Sequence, residues 1–381
     1  MKLRHDIAAL LPRIADAEML KFCLWYEKYA PHLPAIATNL YDRLNHADQA
    51  RFLLWFLKRW ASIDLVNPVE RALYDATLER LRSEPRVRET LENRPYMLRD
   101  FASQGHSFKL LGYQWFLGVH DILYNQYEHG NVVLAPDDVI IDAGAFIGDT
   151  AVLFHHKLKG RCKIHSFELL DENLVLYVHN LDRNGIREDQ VVLNKLALTD
   201  TTGDEIVMDR DARQCSSTMF GSSANGDRIQ TVTLDDYVVA SQLDRVDYIK
   251  MDIEGAEVAA LNGARHTIRH FQPRLAICLY HKWDDVMTIP AAILDAGVDY
   301  RFEFKWVQLK DGLEAVLHAS PMPVHEWQPA VAADEGTHDH LADALASLAS
   351  AYARKSAQAD MMLHSLREMK RSGATTATLP V

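Results

Sequence analysis

Ile141-Asp142-Ala143-Gly144-Ala145-Phe146-Ile147-Gly148-Asp149-Thr150 decides the architecture of this 381-residue chain. Val139 and Ile140 before it are strand formers, and Val152, Leu153, Phe154 and Leu158 after it follow a helical pattern. A strand, a glycine turn and a helix in this order build the nucleotide-binding corner of an open α/β sheet. Gly144 and Gly148 bracket a turn where backbone must approach a ligand closely, which glycine permits. Ala145 and Phe146 lie in the same turn and count among its ligand-contacting positions. Asp142, two residues before the first glycine, can reach an amine directly or through water. An acid there suits a cationic ligand and suits a pyrophosphate poorly. A dinucleotide fingerprint needs G-x-G-x-x-G, and this turn lacks it. Asp149 and Thr150 open the next helix, where their oxygens either cap free N–H groups or touch the ligand.

Outward from this corner, strands and helices alternate, which predicts a largely parallel sheet. Strands are expected near 138–142, 163–168, 190–196, 246–252 and 274–280, with helices near 148–158, 171–183, 255–263 and 285–296. Two further strands, 299–306 and 314–319, flank the hairpin turn Lys310-Asp311-Gly312. The second strand ends in Ser166-Phe167-Glu168, and an acid at that place accepts both hydroxyls of a ribose. S-adenosylmethionine combines a ribose with a sulfonium and an amine, and is the cofactor these acids suit. Ala197 and Leu198, after the third strand, lie near the expected adenine site or pack in the core. Residues 203–233, with Gly203, Gly221, Ser222, Ser223, Asn225 and Gly226, break the alternation and read as a loop or hairpin beside the site.

The fourth strand, in Ile249-Lys250-Met251-Asp252-Ile253-Glu254-Gly255-Ala256-Glu257, delivers Asp252 and Glu254 to the carboxyl edge of the sheet, where open α/β sheets bind ligands. A buried Asp252 needs a partner, whereas Glu257 fits as a dipole complement in the first turn of a helix. The fifth strand ends in Cys278-Leu279-Tyr280-His281-Lys282. His281 there can deprotonate a hydroxyl. Asp252, Glu254 and His281 are the expected catalytic residues, and Asp252 also counts among the cofactor-binding positions. Together they could also hold a divalent metal, although nothing in their spacing demands one. His338-Asp339-His340 lies in a polar tail and reads as solvated.

Residues 1 to about 125 read as helices, with Phe22, Trp25, Tyr29 and Leu53, Phe56, Leu57, Trp60 at helical spacing. These aromatics form a helical core or a cap on the substrate side. The expected division is a helical N-terminal domain at 1–130, a Rossmann-like α/β domain at 131–325 and a C-terminal helical tail at 326–381. In the tail, Leu341, Leu345, Leu348 and Tyr352 have heptad-like spacing that allows a homo-oligomeric contact. Forty-one basic against 53 acidic residues give a net charge of −12 without a dense Lys/Arg stripe, which argues against a nucleic-acid partner. No apolar run approaches a membrane span. Four separated cysteines and an acid-bearing N-terminus point to the cytoplasm.

These residues resemble the FkbM-type methyltransferases, a class I S-adenosylmethionine-dependent family. The resemblance covers about 137–305 and rests on Ile141–Thr150, on Ser166–Glu168 with Asn180 downstream, on Thr233-Leu234-Asp235-Asp236-Tyr237, and on Lys250–Glu257, with Tyr280-His281-Lys282 in support. The family often has Asn where this chain has Phe146, and Pro where it has Leu169. The resemblance implies an α/β class I methyltransferase sheet and methyl transfer to an oxygen of a sugar, glycan or natural-product scaffold. Two alternatives stand beside it, a NAD-dependent oxidoreductase or epimerase and a degenerate methyltransferase fold serving as an interaction subunit.

Overall fold

The first 83 residues form five helices, α1 (Lys2–Leu10), α2 (Met19–Tyr29), α3 (Leu33–Asn39), α4 (His46–Ala61) and α5 (Pro68–Ser83), in a computed structural model that describes residues 2–208 and 227–322. Helix α4 shows why. The Asn45 side chain caps it by accepting the Asp48 N–H at 2.9 Å, and Ser62 ends it in the left-handed region. Between these ends Phe52, Leu53, Phe56 and Leu57 fall on one buried face. Phe56 meets the rings of Trp25 and Tyr29 edge-on. The aromatic stripes are therefore core.

Helices do not continue to residue 125. Helix α5 stops before Pro85, and three antiparallel strands follow, β1 (Val87–Leu91), β2 (Arg94–Asp100) and β3 (Lys109–Gly112). Glu92 and Asn93 make the β1–β2 turn with φ of 48° and 63°, the two-residue geometry whose twist matches a hairpin. Buried Arg99 ties the sheet to α5 through the Leu81 carbonyl and Glu84. A single π-helical turn, Val119–Leu123, leads toward the main sheet.

That sheet has seven strands, β4 (Asp138–Ala143), β5 (Cys162–Phe167), β6 (Val191–Asn194), β10 (Tyr248–Met251), β11 (Arg274–Cys278), β12 (Tyr300–Trp306) and β13 (Ala315–Pro321). Their spatial order is β12-β13-β11-β10-β4-β5-β6. Strands β6, β5, β4, β10 and β11 run parallel, and β13 inserts antiparallel between β11 and β12. The five alternating strands and the closing hairpin lie where the sequence placed them. Strand order reverses between β4 and β10, and this is where an open sheet leaves its ligand crevice. Helices α6 (Asp149–Lys157), α7 (Asp171–Arg183), α8 (Leu234–Ala240), α9 (Glu257–Asn262), α10 (Arg265–Phe271) and α11 (Asp285–Asp295) complete the layers. The irregular 203–233 segment has hairpin arms, β8 (Glu205–Met208) and β9 (Asp227–Val232), and β9 also pairs with short β7 (Ala197–Leu198).

Asn180 on α7 joins the layers. Its side chain accepts from the Leu111 N–H at 2.7 Å and donates to the carbonyls of Leu111 and Ile147 at 2.9 and 2.8 Å. It thereby bolts β3 to the glycine turn. Asn180→Ala leaves three buried backbone groups unpaired and should destabilise the protein by about 2–4 kcal/mol in a urea titration. A loss below about 0.5 kcal/mol would refute this.

The described residues of the two expected domains fall within one compact unit. No helix among them is long and apolar enough to cross a membrane. The expected C-terminal helical tail, its homo-oligomeric contact and His338-Asp339-His340 lie outside the described residues.

Candidate active site

The carboxyl edge of the sheet carries, in spatial order, His281 after β11, Asp252 after β10, Gly144 after β4, Glu168 after β5 and Ala197 beyond β6. All five line one cavity of about 580 Å³, a size ordinary for a small-molecule site. Its outer wall comes from outside the sheet, through Arg59 and Tyr74 of α4 and α5, Trp115, Asp121, and Asp311 and Glu314 of the β12–β13 hairpin.

Gly144 has φ +78°, and a Cβ on it would lie 1.8 Å from the Asp252 carbonyl oxygen. The turn after β4 thus touches the turn after β10 with no room for a side chain. Phe146 holds φ +44°, a conformation that Asn tolerates more readily than a bulky residue. Its ring packs 5.7 Å from both Tyr113 and Trp115, and this aromatic contact offsets the strain at a cavity-lining position.

The structure places Asp142 away from the cavity. The sequence aimed it at a ligand amine, but it is fully buried, 3.2 Å from Lys250 Nζ, and accepts the Thr150 hydroxyl at 2.7 Å. Burial would lower the Lys250 ammonium, yet Asp142 and Asp252 raise it above its ordinary value. Lys250 also donates to the carbonyls of Ala143 and Gly144. Asp142 therefore holds the turn through Lys250, a partner on the neighbouring strand. Ala145 and Gly148 are buried and do not line the cavity either, whereas Asp149 and Thr150 do. Neither side chain caps α6.

Glu168 lines the cavity with one carboxylate oxygen held by the N–H groups of Leu169 and Leu170 at 2.8 and 2.9 Å. Burial pushes its carboxyl up against these hydrogen bonds. Beside it Ala197, Ile229, Leu169, Leu170 and Ile206 form an apolar cluster separate from the main core. This is a carboxylate next to a greasy shelf. Ile206 on β8 brings the irregular segment to the site, as expected.

On the other side, His281 lies among three carboxylates. Its Nε2 is 3.4 Å from Asp252 and 3.6 Å from Glu254, and its Nδ1 is 3.0 Å from Glu257. Burial alone would lower the imidazole, but Glu257, Asp252 and Glu254 raise it to about 9. Asp252 accepts the hydroxyls of Tyr127 and Tyr280 at 2.9 Å each. Burial works to raise its carboxyl, yet His281, Lys250 and the two tyrosines leave it below the usual value. Glu254, at φ +57° in the turn, is pushed to about 7 by burial and by Asp252. Asp252, Glu257 and His281 each bring one ligand atom within 4.8 Å of the others. However, His281 turns one nitrogen to Glu257 and the other to Asp252, and a metal would take only one of them. The arrangement suits a doubly paired imidazolium.

The sequence brought together Glu168, Ala197, Asp252, Glu254 and His281 correctly along one edge. It undervalued Glu257, which accepts the Ile253 N–H at 2.9 Å besides facing His281 and is no mere dipole complement. Lys250 and Tyr280 stood inside the quoted motifs, two residues before Asp252 and one before His281, and that proximity was the available signal. Tyr127, Asp121 and Glu314 carried none, since only the fold brings them to the cavity.

Residues 142–302 match the family model described as the methyltransferase FkbM domain. The chain thus carries an FkbM-type methyltransferase domain over these residues. No curated protein matches it. Among solved structures it is similar to the FkbM methyltransferase of Methylobacillus flagellatus, with 20% identity and a TM-score of 0.49 over 77% of this chain and 60% of that one. This chain thus spans less than two thirds of that protein. It is also similar to a precorrin-6y C5,15-methyltransferase of Geobacter metallireducens (13% identity, TM-score 0.32, covering 55% and 89% of the two chains). A third is Aeropyrum pernix fibrillarin with bound S-adenosyl-L-methionine (11%, 0.31, 48% and 66%). The strand order and the antiparallel β13 are those of a class I methyltransferase sheet. The dinucleotide alternative falls with the family match.

Proposed function

We propose that this methyltransferase uses S-adenosylmethionine and methylates a hydroxyl of a sugar, glycan or related natural-product scaffold. The observation that carries this reading is one cavity in which Glu168 and its apolar shelf lie along the same sheet edge as His281 and Asp252. A carboxylate beside a greasy shelf suits a ribose diol next to an adenine. Asp121, Asp149, Asp252 and Glu254 line the same cavity, a set of acceptors that fits a sulfonium and an ammonium and would repel a phosphate. The cofactor, when bound, supplies an already activated methyl group. What remains for the protein is mostly positioning. His281 removes the acceptor proton, Asp252 and Glu257 fix its ring, and Tyr127 and Tyr280 fix Asp252. Half-exposed Trp115, Arg59, Arg82, Lys310 and Asp311 also line this cavity and make up the proposed acceptor side. An aromatic face with forked polar groups suits a polyhydroxylated acceptor. A metal is not required by this reading.

Calorimetry with S-adenosylmethionine and S-adenosylhomocysteine, with NAD as control, tests the cofactor. Both adenosyl ligands should bind and NAD should not. Glu168→Ala should weaken them roughly tenfold to a hundredfold, as expected for losing charge-assisted hydrogen bonds. Absence of binding to a folded sample would overturn the proposal. A screen of sugars and glycosides with labelled cofactor then tests the acceptor class.

A further inference from the structure

Asp149 is 4% exposed, lines the cavity, and its Oδ1 has no hydrogen-bond partner among the described residues. Asp121 reaches the same cavity from the π-helical turn Val119–Leu123, and its charge acts on Asp149. Gly118 fixes that turn, because at φ +62° a Cβ would lie 2.5 Å from the Phe101 ring. Two carboxyl groups thus act on each other at one part of the cavity wall. Burial, with Asp121 adding to it, raises Asp149 well above its ordinary value. Lys250, Asp142 and Tyr177 are the other titratable groups acting with Asp149. Lys250 is already engaged with Asp142 and two carbonyls. A buried acceptor oxygen at the cavity therefore has no partner among the described residues. Among the described residues the one three-ligand group of His, Cys, Asp or Glu is Asp252, Glu257 and His281, so a metal lacks ligands at the aspartate pair. A primary ammonium needs few partners and strong acceptors.

We propose that Asp121 and Asp149 together bind the ammonium of the cofactor's amino-acid arm. The assignment rests on the cofactor reading above and deepens it. Asp121 precedes the matched domain at 142–302, so half of this contact comes from the chain's N-terminal addition.

Three ligands test it by calorimetry: S-adenosylhomocysteine, its des-amino analogue, and methylthioadenosine, which lacks the amino-acid arm. The unsubstituted protein should prefer S-adenosylhomocysteine over the des-amino analogue by about tenfold or more. The isosteric double variant Asp121→Asn/Asp149→Asn should bind these two alike and methylthioadenosine within about twofold of the unsubstituted protein. Where the double variant does not fold, Asp121→Asn alone must reduce the preference severalfold. Equal affinity for the first two ligands in the unsubstituted protein, or a preference that survives substitution, overturns the assignment. If S-adenosylhomocysteine itself does not bind the unsubstituted protein, the cofactor reading falls first, and this assignment with it.

Discussion

Replacing His281 with glutamine should lower turnover by roughly 10²–10⁴-fold, the range for losing a general base, and leave S-adenosylmethionine affinity nearly unchanged. The ring sits between Asp252, Glu254 and Glu257, and glutamine keeps hydrogen-bonding capacity there without a titrating nitrogen. The pH profile makes the claim sharper. With its imidazole raised to about 9, His281 is protonated at neutral pH in the free protein. A base must be deprotonated, so turnover should climb about tenfold per pH unit below the operative value. A cation bound nearby opposes protonation, which moves the plateau below 9. The variant should show no such limb. Stability gives an independent control. A folded-state value raised above the unfolded one means protonated His281 stabilises the fold fully below about 6.5, and this contribution fades as pH rises through about 9. The variant should therefore melt lower than the unsubstituted protein at pH 6 and come closer to it at pH 10. Full turnover of the variant at every pH, with cofactor saturating, would sink the base assignment.

Gly144→Ala should destabilise the protein by about 3 kcal/mol or more, well beyond the usual glycine-to-alanine effect. Two terms add here. The backbone is left-handed, which alanine disfavours, and the new Cβ would sit 1.8 Å from a backbone oxygen of Asp252. Backbone cannot swing aside as a side chain can, so β4 and β10 must separate at the point where the crevice opens. A urea titration reports the stability, and S-adenosylhomocysteine binding should be lost with it. A variant within about 1 kcal/mol of the original would show that the two turns are not in contact.

The sheet was legible because its signals are local. Glycine turns, apolar runs and the Lys310-Asp311-Gly312 hairpin each announce themselves within a few residues, and alternation orders them. The small β1–β2–β3 sheet was missed because its hairpin turn, Glu92-Asn93, contains no glycine, and its strands interleave charges as a solvated helix would. Pro85 and Asn93 were the signals to weigh. Asp142 was misplaced for a different reason. Its role depends on Lys250, 108 positions along the chain and one strand away in space, and no motif spacing encodes that pairing. Asp252 and His281 were found because strand ends point into the crevice, but their tyrosine and glutamate partners belong to packing.

Helix α4 meets the last strands of the described fold. Trp55 donates its indole N–H to the Gly312 carbonyl at 2.8 Å, Arg59 holds the Tyr280 carbonyl, and Phe52 and Trp55 pack on Phe304. During synthesis on the ribosome, then, an aromatic helix made in the first sixth of the chain stays without its cover until the final hairpin emerges. Contacts so distant in sequence form late and leave apolar surface open to wrong partners meanwhile. The wall of the cavity is thus completed only when the whole sheet has left the exit tunnel, and a nascent chain arrested before β12 would be expected to occupy chaperones rather than bind ligand.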